Sequence, residues 1–451
     1  MTEAAGAAPE ARSPFAAGWG TAARHAALSF AVMTAVGEAA AIAVYAVGRT
    51  SVSLVTYLKI GWFYVAAFHR VPIRLSGTGL DVAALTGGAA SSGSVHAGVA
   101  VAPLAITGLA LWLLWRGGRA VAEAAGGGAL ARTLHGLKVA PIYAAPVFVL
   151  SLLVRVEGPV PIGSLVSGTL ELSAAPVQAL VLPLLLAAAA GAAGGLFGAE
   201  PEGRARFVRG AAAGGWWMLV FGLAFSYAGL FLAGIVRPDG PEALLTPSTG
   251  RYYQAVFDRP GTGAVLLAHH VAVAPNEAAW VLVPAMGGCT GAYPAGGDPE
   301  PFLCYWRFPL ELAIPAQVTS ATDTAAPPPQ TRFGVASWPY FLFLLVPAVA
   351  TILGGRRAAR EGGCASAREA VFLGAAAGAV FAVLVVGGSW LSSVSLSGSA
   401  DFGDALDAAG RVRVGPGLVG GWLVALVWGS VGGALGAAAT ASGSWTTGAR
   451  T

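Results

Sequence analysis

A single carboxylate lies inside an apolar stretch of the sequence. Glu38 is the one charged residue of the segment 26–48. Because a charge inside a membrane is costly, such residues usually face the helix bundle or a water-filled path. The position therefore indicates a protonatable or cation-coupled site near a solute path. The alternative is a carboxyl group that hydrogen-bonds to a neighbouring hydroxyl or backbone group.

Four polar residues lie together in a second apolar stretch. His269 and His270 resemble a metal-ligand pair, but adjacent residues do not share a helix face, and the spacing His-Glu-x-x-His is absent. We therefore predict no metal site and expect hydrogen bonds at the membrane interface. Asn276, the one asparagine of the chain, precedes Glu277. This pair most simply begins a helix that Asn276 caps, with ligand binding on the outer face as the alternative.

Two of the three cysteines lie in one segment. Cys289 and Cys304 are 15 positions apart in a region rich in glycine and proline. A bridge between them would restrict the unfolded chain and stabilise the fold by about 3 kcal/mol. We predict a disulfide, formed in an oxidising compartment; two free thiols near a membrane surface are the alternative. Cys364 lies in a basic segment and is predicted to stay reduced.

Motifs of common enzymes and of nucleotide-driven transporters are absent from the sequence. It has no Walker-type phosphate loop, no nucleophile elbow with a plausible triad and no zinc-ligand cluster. We therefore predict a protein that is not an enzyme and that binds no cofactor or metal. The minor alternative is an intramembrane enzyme that uses Glu38, His269, His270 or Glu277.

The composition places these residues in a membrane protein. Of 451 residues, 56% are hydrophobic and 11% are charged, whereas an ordinary soluble domain is about 25% charged. The apolar residues gather in stretches of roughly 18 to 25, the length that a helix needs to cross about 30 Å of hydrocarbon. This pattern argues against a soluble enzyme, a disordered chain and a nucleic-acid-binding module.

Eight apolar stretches have the length of transmembrane helices, and they pair into four hairpins. With the N-terminus inside, the short inner segments 116–138, 198–210 and 354–369 hold ten arginines, whereas the short outer segments 155–174 and 389–415 hold three. This is the positive-inside pattern. Both termini are therefore predicted to be cytoplasmic. The predicted helices are 26–48, 96–115, 139–154, 175–197, 211–236, 335–353, 370–388 and 416–439.

Glycines recur along these helices at a spacing that lets helices pack closely. The pairs four positions apart predict a compact helical core. They are Gly191/Gly195, Gly374/Gly378, Gly429/Gly433 and Gly432/Gly436.

Two further apolar stretches are ambiguous. If 51–68 crossed the membrane, the arginine-rich segments 116–138 and 198–210 would move outside, so we expect an interfacial or re-entrant helix there. In 264–286, Pro275 is expected to divide the stretch into two short pieces that form a re-entrant or surface hairpin.

A short motif recurs in three of the outer segments. The pattern (Leu/Val)-Ser-Gly-(Thr/Ser) appears at 75–78, 166–169 and 396–399, and flanking residues alternate weakly as in a short strand. We interpret these as copies of a helix–strand–helix unit whose strands meet in a small extracytoplasmic β-layer; the alternative is that serine and glycine are simply common in loops. The motif residues are Ser76, Gly77, Ser167, Gly168, Ser397 and Gly398.

The predicted fold class is an all-α integral membrane protein with about eight transmembrane helices in four hairpins, short extracytoplasmic β segments and one larger outer loop region. A polyproline-like linker over 314–332 is expected to lead into the sixth helix. The predicted regions are a cytoplasmic tail, 1–25; a first membrane region, 26–236; the outer loop region, 237–334; a second membrane region, 335–439; and a second cytoplasmic tail, 440–451.

Three features together resemble a known group of proteins: the string Tyr57 to Tyr64, the string Pro275 to Trp280 continuing to Cys289, and the bias toward alanine, glycine and arginine. They are similar to the streptophobe proteins, which are very hydrophobic actinobacterial membrane proteins without an assigned activity. The resemblance implies a multi-pass protein of the bacterial cell membrane and supplies no ligand or catalytic residue.

Two functions remain on these grounds. The first is a non-enzymatic protein that supports a membrane or cell-envelope complex through its outer face, with the lipid bilayer and a membrane or envelope protein as partners. The alternative is a permease or channel for a small or lipid-like solute, with Glu38 near the path. Transport predicts a polar cavity near the middle of the membrane, whereas a supporting role predicts a dry core.

Overall fold

Helices make up most of the fold, and a β-sheet lies at one end of them. The computed structural model describes residues 17–48, 53–81, 92–159, 167–198, 203–236, 260–311, 332–401 and 407–448. A 3-10 helix, Trp338–Leu344, precedes α9. The helices are α1 (Trp19–Gly48), α2 (Leu54–Phe68), α3 (Leu104–Ala125), α4 (Ala129–Gly136), α5 (Val139–Leu153), α6 (Pro176–Phe197), α7 (Arg204–Val236), α8 (Pro260–Ala285), α9 (Leu345–Gly362), α10 (Ala367–Ser392) and α11 (Leu418–Gly448).

Seven helical segments of the described chain are long and apolar enough to cross a membrane, one fewer than expected. The segment predicted at 96–115 is not among them. Residues up to Ala100 belong to a strand, and the helix begins at Leu104, after Pro103. The seven segments are Trp19–Ala46, Ala129–Leu153, Pro176–Phe197, Arg204–Ala233, Trp338–Gly362, Ala367–Ser392 and Leu418–Ala441.

Eight strands form one antiparallel sheet in the order β3-β4-β1-β2-β9-β10-β5-β6. The expected short β segments were therefore wrong in extent, because strands as long as 10 residues pair across the whole sheet. A second, two-stranded sheet joins β7 and β8. The strands are β1 (Ile73–Asp81), β2 (Ser92–Ala100), β3 (Arg155–Pro159), β4 (Ser167–Ala174), β5 (Thr290–Pro294), β6 (Glu300–Leu303), β7 (Phe308–Glu311), β8 (Arg332–Gly334), β9 (Val394–Asp401) and β10 (Asp407–Pro416).

The eight-stranded sheet consists of four hairpins, and each hairpin follows a helix. β1–β2 connects α2 to α3, β3–β4 connects α5 to α6, and β9–β10 connects α10 to α11, while β5–β6 follows α8. The two halves of the sheet meet where β2 pairs with β9, for example at Gly98 opposite Ser397. Helix ends that lead into the sheet therefore all lie at the same end of the molecule, the sheet end.

The three copies of the Ser-Gly motif all lie in this sheet. Ser76 and Gly77 are in β1, Ser167 and Gly168 are in β4, and Ser397 and Gly398 are in β9. β1 and β9 are the first strands of their hairpins, but β4 is a second strand. The motif therefore occurs only in strands of this sheet, but it does not occupy the equivalent strand of each hairpin.

Helix α8 corrects the hairpin expected over 264–286. One continuous helix, Pro260–Ala285, contains Pro275 and Pro284 in its interior. Its last turns are buried among other helices, with Leu282 and Val283 almost inaccessible. Burial of these apolar side chains keeps the segment helical although a proline removes a backbone hydrogen bond. Helix α2 forms within 51–68 as expected, capped by the Ser53 hydroxyl, and its place in the membrane stays a prediction.

The same sequence of elements occurs in both halves of the chain. In α1–α6 and again in α7–α11, a long helix is followed by an apolar helix, a β-hairpin, a helix with an arginine-rich end, and a helix–hairpin–helix unit. The first half has α4 in addition, and the second half has β7, β8 and the 3-10 helix. The turns after α2 and α8 have identical backbone bonding: Arg70 N–H donates to Ala67 O, and Gly287 N–H donates to Pro284 O. Both residues have positive φ, 60° and 95°.

Equivalent glycine contacts also join the helices of each half. In the first half, Gly191 of α6 lies against the backbone of Gly118 and Gly136. In the second half, Gly433 of α11 lies against Gly355 and Gly374 in the same way. At these contacts a side chain would collide with a neighbouring backbone, so only glycine permits such a close approach.

The two ends of the bundle differ in chemistry. The sheet end carries the disulfide between Cys289 and Cys304, which joins the residue before β5 to the residue after β6. The opposite end carries Cys364 as a free thiol. Arginines concentrate at that opposite end, which we call the distal end; they are Arg24, Arg116, Arg119, Arg132, Arg204, Arg206, Arg209, Arg356, Arg357, Arg360 and Arg368.

Several predicted segments fall partly or wholly outside the described residues. The linker expected over 314–332 lies there except for its last residue, as do most of the tail 1–25 and the first part of the loop region 237–334. The rest of that loop region is not a loop, because it contains α8 and strands β5 to β8.

Candidate functional site

A polar cluster joins α7 and α8. His270 and Glu277 are seven residues apart, two helical turns, so they lie on one face of α8. The ring atom His270 Nδ1 is 3.7 Å from Glu277 Oε1, and His270 Nε2 shares a hydrogen bond of 2.6 Å with the hydroxyl of Tyr227 on α7. Glu277 Oε2 is buried without a hydrogen-bond partner in the described part of the chain. The structure therefore assembles an acid–base group from residues that sequence reasoning singled out and one, Tyr227, that it missed.

His269, the residue before His270, is described only by its backbone. Its backbone lies in α8, and its side chain is outside the described residues. Tyr227 gave no signal in the sequence because it is one of many aromatic residues in apolar helices. Only the crossing of α7 and α8 places it against His270.

Asn276 has a different role from the one expected. It lies in the interior of α8 and caps the first turn of α3 instead of its own helix. Its Oδ1 accepts from Leu104 N–H at 2.8 Å, and its Nδ2 donates to Ala102 O at 2.7 Å. Asn276 is buried. One side chain thus satisfies two backbone groups where β2 gives way to α3, and it joins the two halves of the chain.

Glu38 lies at the crossing of α1 and α2, on a different helix pair from Glu277. Its carboxylate packs against Gly61, where a side chain would collide with it. Oε2 of Glu38, the Thr34 hydroxyl and the Trp62 indole N–H are buried without hydrogen-bond partners among the described residues. These three groups come from neighbouring turns of α1 and from α2. Glu38 is therefore packed between helices, with hydrogen-bonding capacity left unused.

Two buried polar residues at the end of α2, His69 and Arg70, were missed by sequence reasoning, and their side chains have separate partners. Arg70 Nη2 donates to Ser393 O at 3.2 Å and to Ser395 Oγ at 2.9 Å, and its guanidinium lies 4.3 Å from the centre of the Trp390 ring. Burial and the nearby Arg413 lower the pKa of Arg70 to about 10, so it stays charged at neutral pH.

The position of Arg70 explains why a non-glycine residue has positive φ here. The matching turn of the second half uses Gly287, for which this conformation is free of strain. The hydrogen bond from the Arg70 guanidinium to the carbonyl of Ser393, the residue that caps the C-terminus of α10, offsets this strain. A cation at that end of a helix also complements the helix dipole. Arg70 therefore joins the two halves beneath the sheet, as Asn276 does.

His69 makes stability depend on pH. Its Nε2 shares a hydrogen bond of 2.8 Å with the Tyr143 hydroxyl, and complete burial lowers the pKa of His69 from 6.5 to about 4. Between pH 6.5 and pH 4, His69 is therefore protonated in the unfolded chain but neutral in the folded protein. The free energy of unfolding falls as pH decreases through this range. By the linkage of pKa to free energy, we expect a loss of about 3 kcal/mol from this residue.

Thermal unfolding of the wild type and of His69→Gln, measured across that pH range, checks this expectation. The variant should lose less stability than the wild type as pH falls, because glutamine does not titrate. Parallel pH profiles for the two proteins would contradict it.

The pocket between the halves is apolar. Its cavity volume is about 10 Å³, close to what one water molecule needs, and Ser389 is the one lining residue with a polar side chain. It is lined by Leu104, Leu219, Leu223, Ala279, Leu282, Val283, Val385, Gly388 and Ser389. Within the described residues, no group of three or more His, Cys, Asp or Glu side chains is arranged to hold a metal ion.

Comparison with protein-family models, with curated proteins and with solved structures returns no match. The chain is a polytopic membrane protein by its seven apolar helices.

Proposed function

We propose that this membrane protein has a non-enzymatic, supporting role in a membrane or cell-envelope complex and that it acts through its sheet end. The observation that carries this proposal is the dry interior. Gly191 and Gly433 bring helix backbones into contact, and the pocket between the halves is apolar. A solute path requires polar groups around a water-filled cavity, and the pocket that these described residues line is apolar instead.

The sheet end is proposed to be the outer face. A disulfide requires an oxidising compartment, and Cys289–Cys304 lies at that end. The arginines concentrate at the distal end, which agrees with a cytoplasmic location. We propose that α3, which runs from the sheet toward the arginines of the distal end, is an eighth crossing helix. The protein then lies in a bacterial cell membrane with both termini inside, as its resemblance to the streptophobe proteins implies, and a membrane or envelope protein binds the sheet.

The two halves are proposed to derive from one repeated unit. The support is the shared order of elements, the identical turns at Arg70 and Gly287, and the matched contacts of Gly191 and Gly433. In both halves the hairpins lie at the same end, so the repeat is of the parallel kind. A single continuous sheet then presents hairpins of both halves to a partner.

One observation favours the alternative, a permease. Glu38 and Glu277 each have a buried carboxylate oxygen without a hydrogen-bond partner in the described chain. Ionisable groups of this kind often mark an ion or solute path. Water access to these two positions distinguishes the alternatives.

Thiol labelling in intact membranes tests the proposal. In a Cys364→Ser background that keeps the disulfide, Glu38→Cys and Glu277→Cys would be probed with a membrane-impermeant maleimide. Ser397→Cys on the exposed part of β9 serves as the accessible control, and Leu223→Cys beside the apolar pocket serves as the dry control. We expect both test positions to label as slowly as Leu223→Cys until denaturant is added.

Labelling of Glu38→Cys or Glu277→Cys at the rate of Ser397→Cys would overturn the proposal. An aqueous path would then reach the bundle, and the permease would become the better assignment. A denaturant step that releases labelling at both positions shows that the thiols are present and reactive.

A further inference from the structure

A groove between α1 and α3 lies at the distal end of the bundle. The two helices meet closely, because a side chain at Gly117 would come within 3.0 Å of His25 Cβ. Arg24 of α1 and Arg116 of α3 flank this contact, and both are exposed. We call the surface formed by Arg24, His25, Leu28, Trp112 and Arg116 the α1–α3 groove.

The groove concentrates positive charge without acidic compensation. Neither Arg24 nor Arg116 belongs to any of the ion pairs found among the described residues. Both guanidinium groups act electrostatically on the His25 ring between them. Two arginines from different helices thus face one space, where an anion with several acceptor oxygens would satisfy both.

Apolar surface continues the groove toward the sheet end. Leu28 lies one turn from Arg24, and Trp112 lies one turn from Arg116, in each case on the side nearer the sheet. These two apolar side chains are 55% and 47% exposed. Arg116 lies 5.0 Å from the centre of the Trp112 ring, as expected for a tryptophan at headgroup depth. The positive charge lies at the distal end, and the apolar surface lies one helical turn closer to the sheet. This arrangement matches a lipid whose headgroup contacts the arginines and whose acyl chain contacts the apolar side chains.

We propose that the α1–α3 groove binds the phosphate headgroup of an anionic phospholipid, whose acyl chain lies along Leu28 and Trp112. A free phosphate ion would use the arginines but not these apolar side chains. The second half lacks the site, because the residue before its matching glycine pair is Leu353 where the first half has Arg116. The inference requires only that the apolar helices lie in a bilayer, and it goes beyond the supporting role.

Lipid binding to the full chain tests the inference. The protein would be placed in phosphatidylcholine nanodiscs with headgroup-labelled phosphatidylglycerol, and the dissociation constant of the labelled lipid would be measured. The variant Arg24→Gln/Arg116→Gln should weaken binding roughly 30-fold, at about fivefold for each arginine near a lipid surface. Arg360→Gln/Arg368→Gln, which removes two exposed arginines from the same end, is the matched control and should change binding little.

Three results would overturn the inference. Equal weakening in both double variants would mean that only the general surface charge attracts the lipid. Equal competition by inorganic phosphate at the concentration of the labelled lipid, with the ionic strength held constant, would mean a free-anion site. Unchanged binding in Arg24→Gln/Arg116→Gln would mean that the groove binds no headgroup. Because all these side chains are exposed, loss of folding is not expected to obscure the comparison.

Discussion

Replacing Gly433 by alanine should destabilise the protein by about 3 kcal/mol, at the upper end of the usual range for overpacking a tight core. The added methyl group would collide with the carbonyl oxygen of Gly374 on α10 and would lie 2.8 Å from Met218 Cε on α7. A flexible methionine can move aside, but a helix backbone moves only if two helices separate. Thermal unfolding of the purified protein in detergent, followed by circular dichroism, measures the effect.

Gly420→Ala is the matched control for this prediction. Gly420 lies on the same helix, α11, and nothing approaches the position of its added methyl group within 4 Å. Because alanine is a better helix former by about 1 kcal/mol, this variant should be as stable as the wild type or more so. Equal unfolding temperatures for the two variants would contradict the packing argument at Gly433.

The glycine contacts show what could be predicted from the sequence about the core. The four-residue spacing of Gly191/Gly195 and Gly429/Gly433 predicted close helix packing, and each of these glycines lies at a helix contact. The spacing did not identify the partners: Gly433 contacts Gly374 of another such pair, and it also contacts Gly355 of α9, which belongs to none of the predicted pairs. Such partners depend on how helices cross, and that information is not local in the sequence.

The sheet was predicted in kind but not in size. Alternation around Ser393 to Ser397 indicated a strand, and a small β-layer was expected. Residues 96–100 were predicted to begin the helix 96–115. Pairing with β1 on one side and β9 on the other makes them a strand. Long-range pairing decided the structure where local preference was weak.

The candidate site was only partly visible in the sequence. Its Glu277 and His270 were identified because polar groups stand out in apolar stretches, and the helix spacing brings them to one face. Tyr227 and Arg70 were missed for opposite reasons. In the sequence, Tyr227 resembles an ordinary membrane aromatic and Arg70 resembles an ordinary loop arginine. Contacts from distant segments, which the sequence does not reveal, fix the positions of both side chains.

Asn276→Ala should lower the free energy of unfolding by about 3 kcal/mol. The substitution leaves the N–H of Leu104 and the carbonyl of Ala102 without partners in a buried place, and each such group costs about 1 to 3 kcal/mol. Because these groups lie where β2 gives way to α3, the first turn of α3 should also fray. The midpoint of thermal unfolding measures the loss, and hydrogen exchange at the start of α3 measures the fraying.

Val271→Ala on the exposed face of the same helix is the control for this prediction. Surface changes of this kind usually alter stability by less than about 0.5 kcal/mol, and this one leaves both hydrogen bonds of Asn276 in place. The prediction would be contradicted if the amides at the start of α3 exchanged no faster in Asn276→Ala than in Val271→Ala, because Asn276 would then not stabilise the first turn of α3. A selective effect at α3, caused by a residue on α8, would instead mean that the two halves stabilise one another directly through Asn276.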